Sequence, residues 1–118
     1  MTLPARRPKT VSNILRGPKR EWPRHRKWLR GFYCVVPGCQ DGPIEVAHVR
    51  QGHQAGTGIK PADWSAIPCC AAHHREQHAI GHQAFDRKYA INSLALAKEF
   101  AAKSPDSAMR EAMQENTP

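Results

Sequence analysis

The chain has 118 residues, which allows one compact domain with tails. No apolar run approaches the length of a membrane span and no apolar segment follows Met1, so the expectation is a soluble, unsecreted, cytoplasmic protein. The net charge of +8 is lopsided: residues 1–33 hold ten Lys or Arg against Glu21 alone, whereas the rest of the chain holds eight basic and nine acidic residues.

So basic an arm points to a polyanionic partner, nucleic acid first; the plainer reading is a solvated tail kept for solubility. An organellar transit peptide would need an amphipathic stripe that these residues lack. Three Trp, three Phe and two Tyr make a thin core for a domain with 8 Gly and 10 Pro, and small domains of that kind are usually held by a metal or by disulfides.

In chain order, residues 1–20 read as a flexible arm broken by Pro4, Pro8, Gly17 and Pro18. Pro23 starts a short helix through Arg30 that Gly31 ends, with Trp22, Trp28 and Leu29 turned inward. Phe32–Val36 reads as a short strand entering a Pro37-Gly38 knuckle, and Ile44–Val49 alternates as a strand. A Gly-rich connection from Arg50 to Lys60 leads to a return strand over Trp64–Pro68. A helix follows from Ala71 to a break near Gly81 and continues over 83–90, with Phe85 and Tyr89 on one face. A last helix over Ser93–Lys103 stops at Ser104-Pro105, and 106–118 reads as a polar, frayed tail.

The densest chemistry lies in Cys69-Cys70-Ala71-Ala72-His73-His74-Arg75-Glu76-Gln77-His78. Zinc takes four tetrahedral Cys or His ligands, commonly as two short-spaced pairs. Cys34-x4-Cys39 and Cys70-x2-His73 supply two such pairs, with Cys69 the rival to Cys70. Two disulfides are the competing use of four cysteines, disfavoured without a secretion signal. His74 and His78 stand four apart, so a helix turns both to one side, where they can share a second ion.

A strand with a histidine, a Gly-rich loop, a return strand and a helix with a histidine pair is the order found in HNH, or His-Me finger, endonucleases. The chain resembles them from about Cys34 to Pro105, through Ile44-Glu45-Val46-Ala47-His48-Val49-Arg50, Gly58-Ile59-Lys60-Pro61-Ala62-Asp63-Trp64 and Ile67 to His78. The similarity is greatest to small phage and prophage members related to the RecA-dependent nuclease Ref.

The resemblance implies an α+β fold with a zinc-stabilised, treble-clef-like ββα-metal core over 21–105 and flanking helices. It also implies hydrolysis of DNA in a bacterial or phage-infected cell, leaving 5′-phosphate and 3′-hydroxyl ends. His48 matches the general base; His74 and His78 match the residues that hold the divalent ion, Mg²⁺ or Mn²⁺. Arg50, Arg75 and Lys60 are candidate phosphate contacts, joined by Arg24, Arg26 and Lys27 of the basic arm. A recombinase-type recruiting protein is an implied partner.

Two positions depart from the pattern. Ala47 stands where many members place an acid or a histidine that binds the ion, and Ser65 stands in place of the middle asparagine. Glu45 and Asp63 are the candidate replacement donors. A lone strand histidine is more often a core or surface residue than a base, and seven histidines in the chain make some, such as His25, His53 and His82, incidental. Joint order and spacing lift His48, His74 and His78 above that background. The alternative function is a zinc-stabilised nucleic-acid-binding module without catalysis, and a third is a purely structural zinc protein.

Overall fold

The structure, a computed structural model, describes Leu3, Ala5 and residues 19–50 and 61–115. Most of the arm expected over 1–20, Lys60 and the Gly-rich connection therefore lie outside the described residues. Among the described residues the architecture is α+β, with a two-stranded antiparallel sheet and five helices. No described helix is long and apolar enough to cross a membrane.

The elements run α1 (Pro23–Leu29), β1 (Ile44–His48), β2 (Ala66–Cys70), α2 (Ala71–Ile80), α3 (His82–Tyr89), α4 (Ser93–Lys103) and α5 (Ser107–Glu115). β1 pairs with β2 so that Ile44 faces Cys70, Ala47 faces Ile67 and His48 faces Ala66. Alternation along the strands then puts Glu45, Ala47, Ile67 and Cys69 on one face, and Ile44, Val46, His48, Pro68 and Cys70 on the other. All five residues of β2 are buried, the signature of a strand covered on both sides.

The main core gathers Ala47, Val49, Ile67 and Cys69 from the sheet region with Phe85 of α3 and Ala97 of α4. Phe85 and Tyr89 share a helix face as expected and stack edge to face, ring centroids 5.0 Å apart. Gly81 sits at a positive φ of 86° between α2 and α3, a conformation that favours glycine and lets the chain turn without a loop. Asn92 caps α4 by accepting the Ala95 N–H at 3.0 Å.

Two strand expectations need correction. Phe32–Val36 forms no strand: Val35 N–H donates to Pro68 O at 3.0 Å, but that one bond does not extend into a ladder. The knuckle after it demands a turn, with Gly38 at φ 81° and Cys39 N–H donating back to Val36 O. The return strand begins at Ala66, not Trp64, and runs on through Cys70 into the helix.

The largest change concerns the expected tail over 106–118, of which 107–115 is helical. Asp106 accepts the Met109 N–H at 3.1 Å and so starts α5, and Met109 is fully buried against a second cluster with Trp22 and Ala101. α1 packs through its aromatic residue Trp28, whose ring meets Phe32 at 4.8 Å and Phe100 of α4 at 6.1 Å. His25, expected to be incidental, is fully buried with its Nδ1 2.8 Å from Ser104 Oγ. Burial lowers its pKa, outweighing Asp63 and Asp106.

Candidate functional site

Cys34, Cys39, Cys70 and His73 converge, their donor atoms all within 4.8 Å of one another. His73 Nδ1 lies 3.1 Å from Cys70 Sγ and 3.4 Å from Cys34 Sγ, and Cys39 Sγ lies 3.9 Å from Cys70 Sγ. Tetrahedral zinc with bonds of about 2.3 Å to sulfur and about 2.05 Å to nitrogen would separate its ligands by about 3.8 Å (S···S) and about 3.6 Å (S···N). The four residues therefore fit a metal such as zinc in both donor chemistry and spacing.

The local sequence explains the convergence. Cys34 and Cys39 bracket the Gly38 turn, while Cys70 is the last residue of β2 and caps α2, its sulfur accepting the His73 N–H at 3.5 Å. A thiolate at a helix N-terminus is favoured by the helix dipole. The Asp41 backbone N–H lowers the Cys39 pKa, but desolvation and the crowded Cys34 and Cys70 sulfurs outweigh it and push it up to about 11. A bound cation reverses that balance by removing the protons.

Strand parity separates Cys70 from its rival. Cys69 lies outside the converging donor set, on the other side of the strand by alternation, and is fully buried, where burial and the neighbouring Cys34 sulfur raise its pKa. His73 is backed by aromatic rings, Tyr89 at 5.2 Å and Phe85 at 6.5 Å, and Tyr89 donates its hydroxyl to Glu76 of α2.

The other candidate histidines form two groups. His74 and His78 meet on an accessible side of α2, their Nε2 atoms 3.1 Å apart, and His74 Nδ1 lies 2.8 Å from Glu45 Oε1. Glu45 therefore stands behind His74, on the ring nitrogen opposite His78. Ala47 is fully buried in the core and contributes no donor.

His48, on the opposite face of β1 from Glu45, places its Nε2 2.9 Å from Asp63 Oδ1. Asp63 is 1% exposed, and its other oxygen accepts both Trp22 N–H and Arg26 Nη1–H at 2.6 Å. Asp63 thus pairs with His48 and α1, and not with the His74–His78 pair for which its sequence position made it a candidate donor. Its partnership with His48 spans fifteen positions across a Gly-rich connection, and no local spacing announces it.

Burial alone would raise the Asp63 carboxyl, but hydrogen bonds from His48, Trp22 and Arg26 overcome this and hold its pKa at about 2, below the ordinary 3.8. A depressed carboxyl stabilises the fold above its unfolded pKa, and the stabilisation disappears as pH falls through the folded value. Against Asp63→Asn, the native chain should gain about 2 kcal/mol near neutral pH. Denaturant unfolding of the two zinc-loaded proteins near neutral pH tests the prediction; equal stabilities would sink it.

Among the candidate nucleic-acid contacts, Arg24, Lys27, Arg50 and Arg75 are exposed, whereas Arg26 is half-buried in its ion pair with Asp63. No family model, curated protein or solved structure matches this chain.

Proposed function

We propose that this chain is a zinc-stabilised, divalent-metal-dependent DNA endonuclease with a ββα-metal core. The observation that carries the reading is the His74–His78 pair. Two Nε2 atoms 3.1 Å apart on one side of α2 stand close enough that they would share one divalent ion. Glu45 accepting from His74 Nδ1–H leaves the Nε2 lone pair free for that ion.

In this reading zinc at Cys34, Cys39, Cys70 and His73 fastens the knuckle to the β2–α2 junction. His74 and His78 would hold a divalent ion, which would supply charge neutralisation at the scissile phosphate. His48 takes a proton from water as the water oxygen bonds to phosphorus, the P–O3′ bond breaks, and the 3′ oxygen leaves to be protonated. Arg50 and Arg75 flank this chemistry in sequence as phosphate contacts.

The arm and the exposed Arg24 and Lys27 supply salt-sensitive affinity; six engaged phosphates give a slope of log K on log salt of roughly −5 on duplex DNA. No element resembles a base-reading helix, so selectivity falls to DNA structure or to a recombinase-type recruiting protein.

Purified zinc-loaded protein, stripped of exchangeable ions and then given Mg²⁺ or Mn²⁺, should convert supercoiled plasmid to nicked and linear forms with 5′-phosphate ends. Binding without nicking under every divalent ion would favour the binding module. Failure to bind DNA would overturn both readings.

A further inference from the structure

We propose that Asp63 is the positioning residue for His48: it holds the ring in the Nε2–H tautomer, leaving the basic lone pair on Nδ1, and locks that arrangement to α1. The inference rests on the reading of His48 as general base, although its structural half can be tested without any cleavage.

Donors and acceptors around the carboxylate fix the tautomer. Asp63 Oδ2 accepts from two groups that can only donate, the Trp22 backbone N–H and the Arg26 guanidinium. That oxygen is committed to α1. The remaining oxygen, Oδ1, meets His48 Nε2 at 2.9 Å, and an ionised carboxylate can only accept. His48 must therefore donate through Nε2–H, so in its neutral form Nδ1 is the unprotonated nitrogen. The carboxylate is nearly inaccessible to solvent, so water does not readily replace either partnership. Arg26 belongs to this lock, a role distinct from that of its exposed neighbours Arg24 and Lys27.

Asp63→Asn turns this pattern into a test. An asparagine has one accepting oxygen and one donating amide group. Trp22 N–H and Arg26 both require the oxygen, so the amide NH₂ is left facing His48 Nε2. A donor there selects the opposite tautomer, with the proton on Nδ1 and no lone pair on the catalytic side. In the Ser-His-Asp triad of serine proteases, inverting the catalytic histidine by the same Asp-to-Asn change costs on the order of 10⁴ in rate.

The experiment measures ¹⁵N chemical shifts of the His48 ring in the full-length, zinc-loaded protein, with plasmid nicking in parallel. The native chain should show Nε2–H. Asp63→Asn should show Nδ1–H, keep its zinc, still bind plasmid and nick it about 10²–10⁴ times more slowly. A native ring protonated on Nδ1 would overturn the proposal, as would Asp63→Asn retaining Nε2–H or nicking at the native rate. Should that variant fail to fold, the native tautomer decides alone. If the native protein never nicks DNA, the endonuclease reading fails and Asp63 loses its catalytic role, while the ring's tautomer still decides whether Asp63 orients His48.

Discussion

Replacing Cys70 by serine should abolish stoichiometric zinc and unfold the domain at ambient temperature, whereas Cys69→Ala should keep one zinc per chain and cost only about 1–2 kcal/mol. The two neighbours differ because β2 turns Cys70 toward Cys34, Cys39 and His73 and buries Cys69 on the other face. Structural zinc contributes about 10–16 kcal/mol of apparent binding free energy in small metal-dependent domains, comparable with or above the roughly 5–15 kcal/mol net stability of a typical domain. Here the ion would join the Cys34–Cys39 knuckle, the end of β2 and the first turn of α2.

Zinc released on denaturation and far-ultraviolet circular dichroism of the two variants provide the check. A folded Cys70→Ser chain with full zinc, or a zinc-free Cys69→Ala chain, would reverse the ligand assignment. Chelation of the native protein should likewise unfold it, with recovery on adding Zn²⁺ back.

Cleavage by His48→Ala and by His78→Ala should each fall about 10²–10⁴-fold while zinc content and fold persist. The two losses should differ in kind. In the proposed reading His78 would share a cation with His74 through nitrogens 3.1 Å apart, so its loss would weaken ion binding and high Mn²⁺ should restore part of the rate. His48 would handle a proton, so no concentration of divalent ion should rescue its alanine variant. His82→Ala, at the first position of α3, serves as the control with native activity. Nicking rates against metal concentration separate the cases; equal rates for native protein and His48→Ala would remove His48 from the mechanism.

Much of the scaffold was legible because its signals are local. Ser104-Pro105 after Lys103 stops α4, and the observed helix has the expected bounds Ser93–Lys103. The alternation over Ile44–Val49, observed as a strand over Ile44–His48, and the break near Gly81 were equally direct. The Cys34–Cys39 and Cys70–His73 spacings identified the four residues that converge.

α5 was missed because it reads as polar: one face is held by Met109 with Ala112 and Met113, and that stripe becomes recognisable only when Trp22 and Ala101 are present to receive it. His25 was misjudged for the same reason, since nothing near it in the chain reveals Ser104 Oγ, 79 positions away.

Sequence alone therefore determined the elements set by short-range periodicity, the break at Gly81, and the zinc-type donor set, because each depends on residues a few positions apart. Tertiary structure decided which acid stands behind which histidine and that Arg26 is held by Asp63, and it agreed with the spacing in bringing Cys70 to the knuckle. Those outcomes depend on strand register and on contacts spanning 15 to 41 positions. A shift of one residue in the pairing would reverse the faces of β2, so no local pattern can specify them.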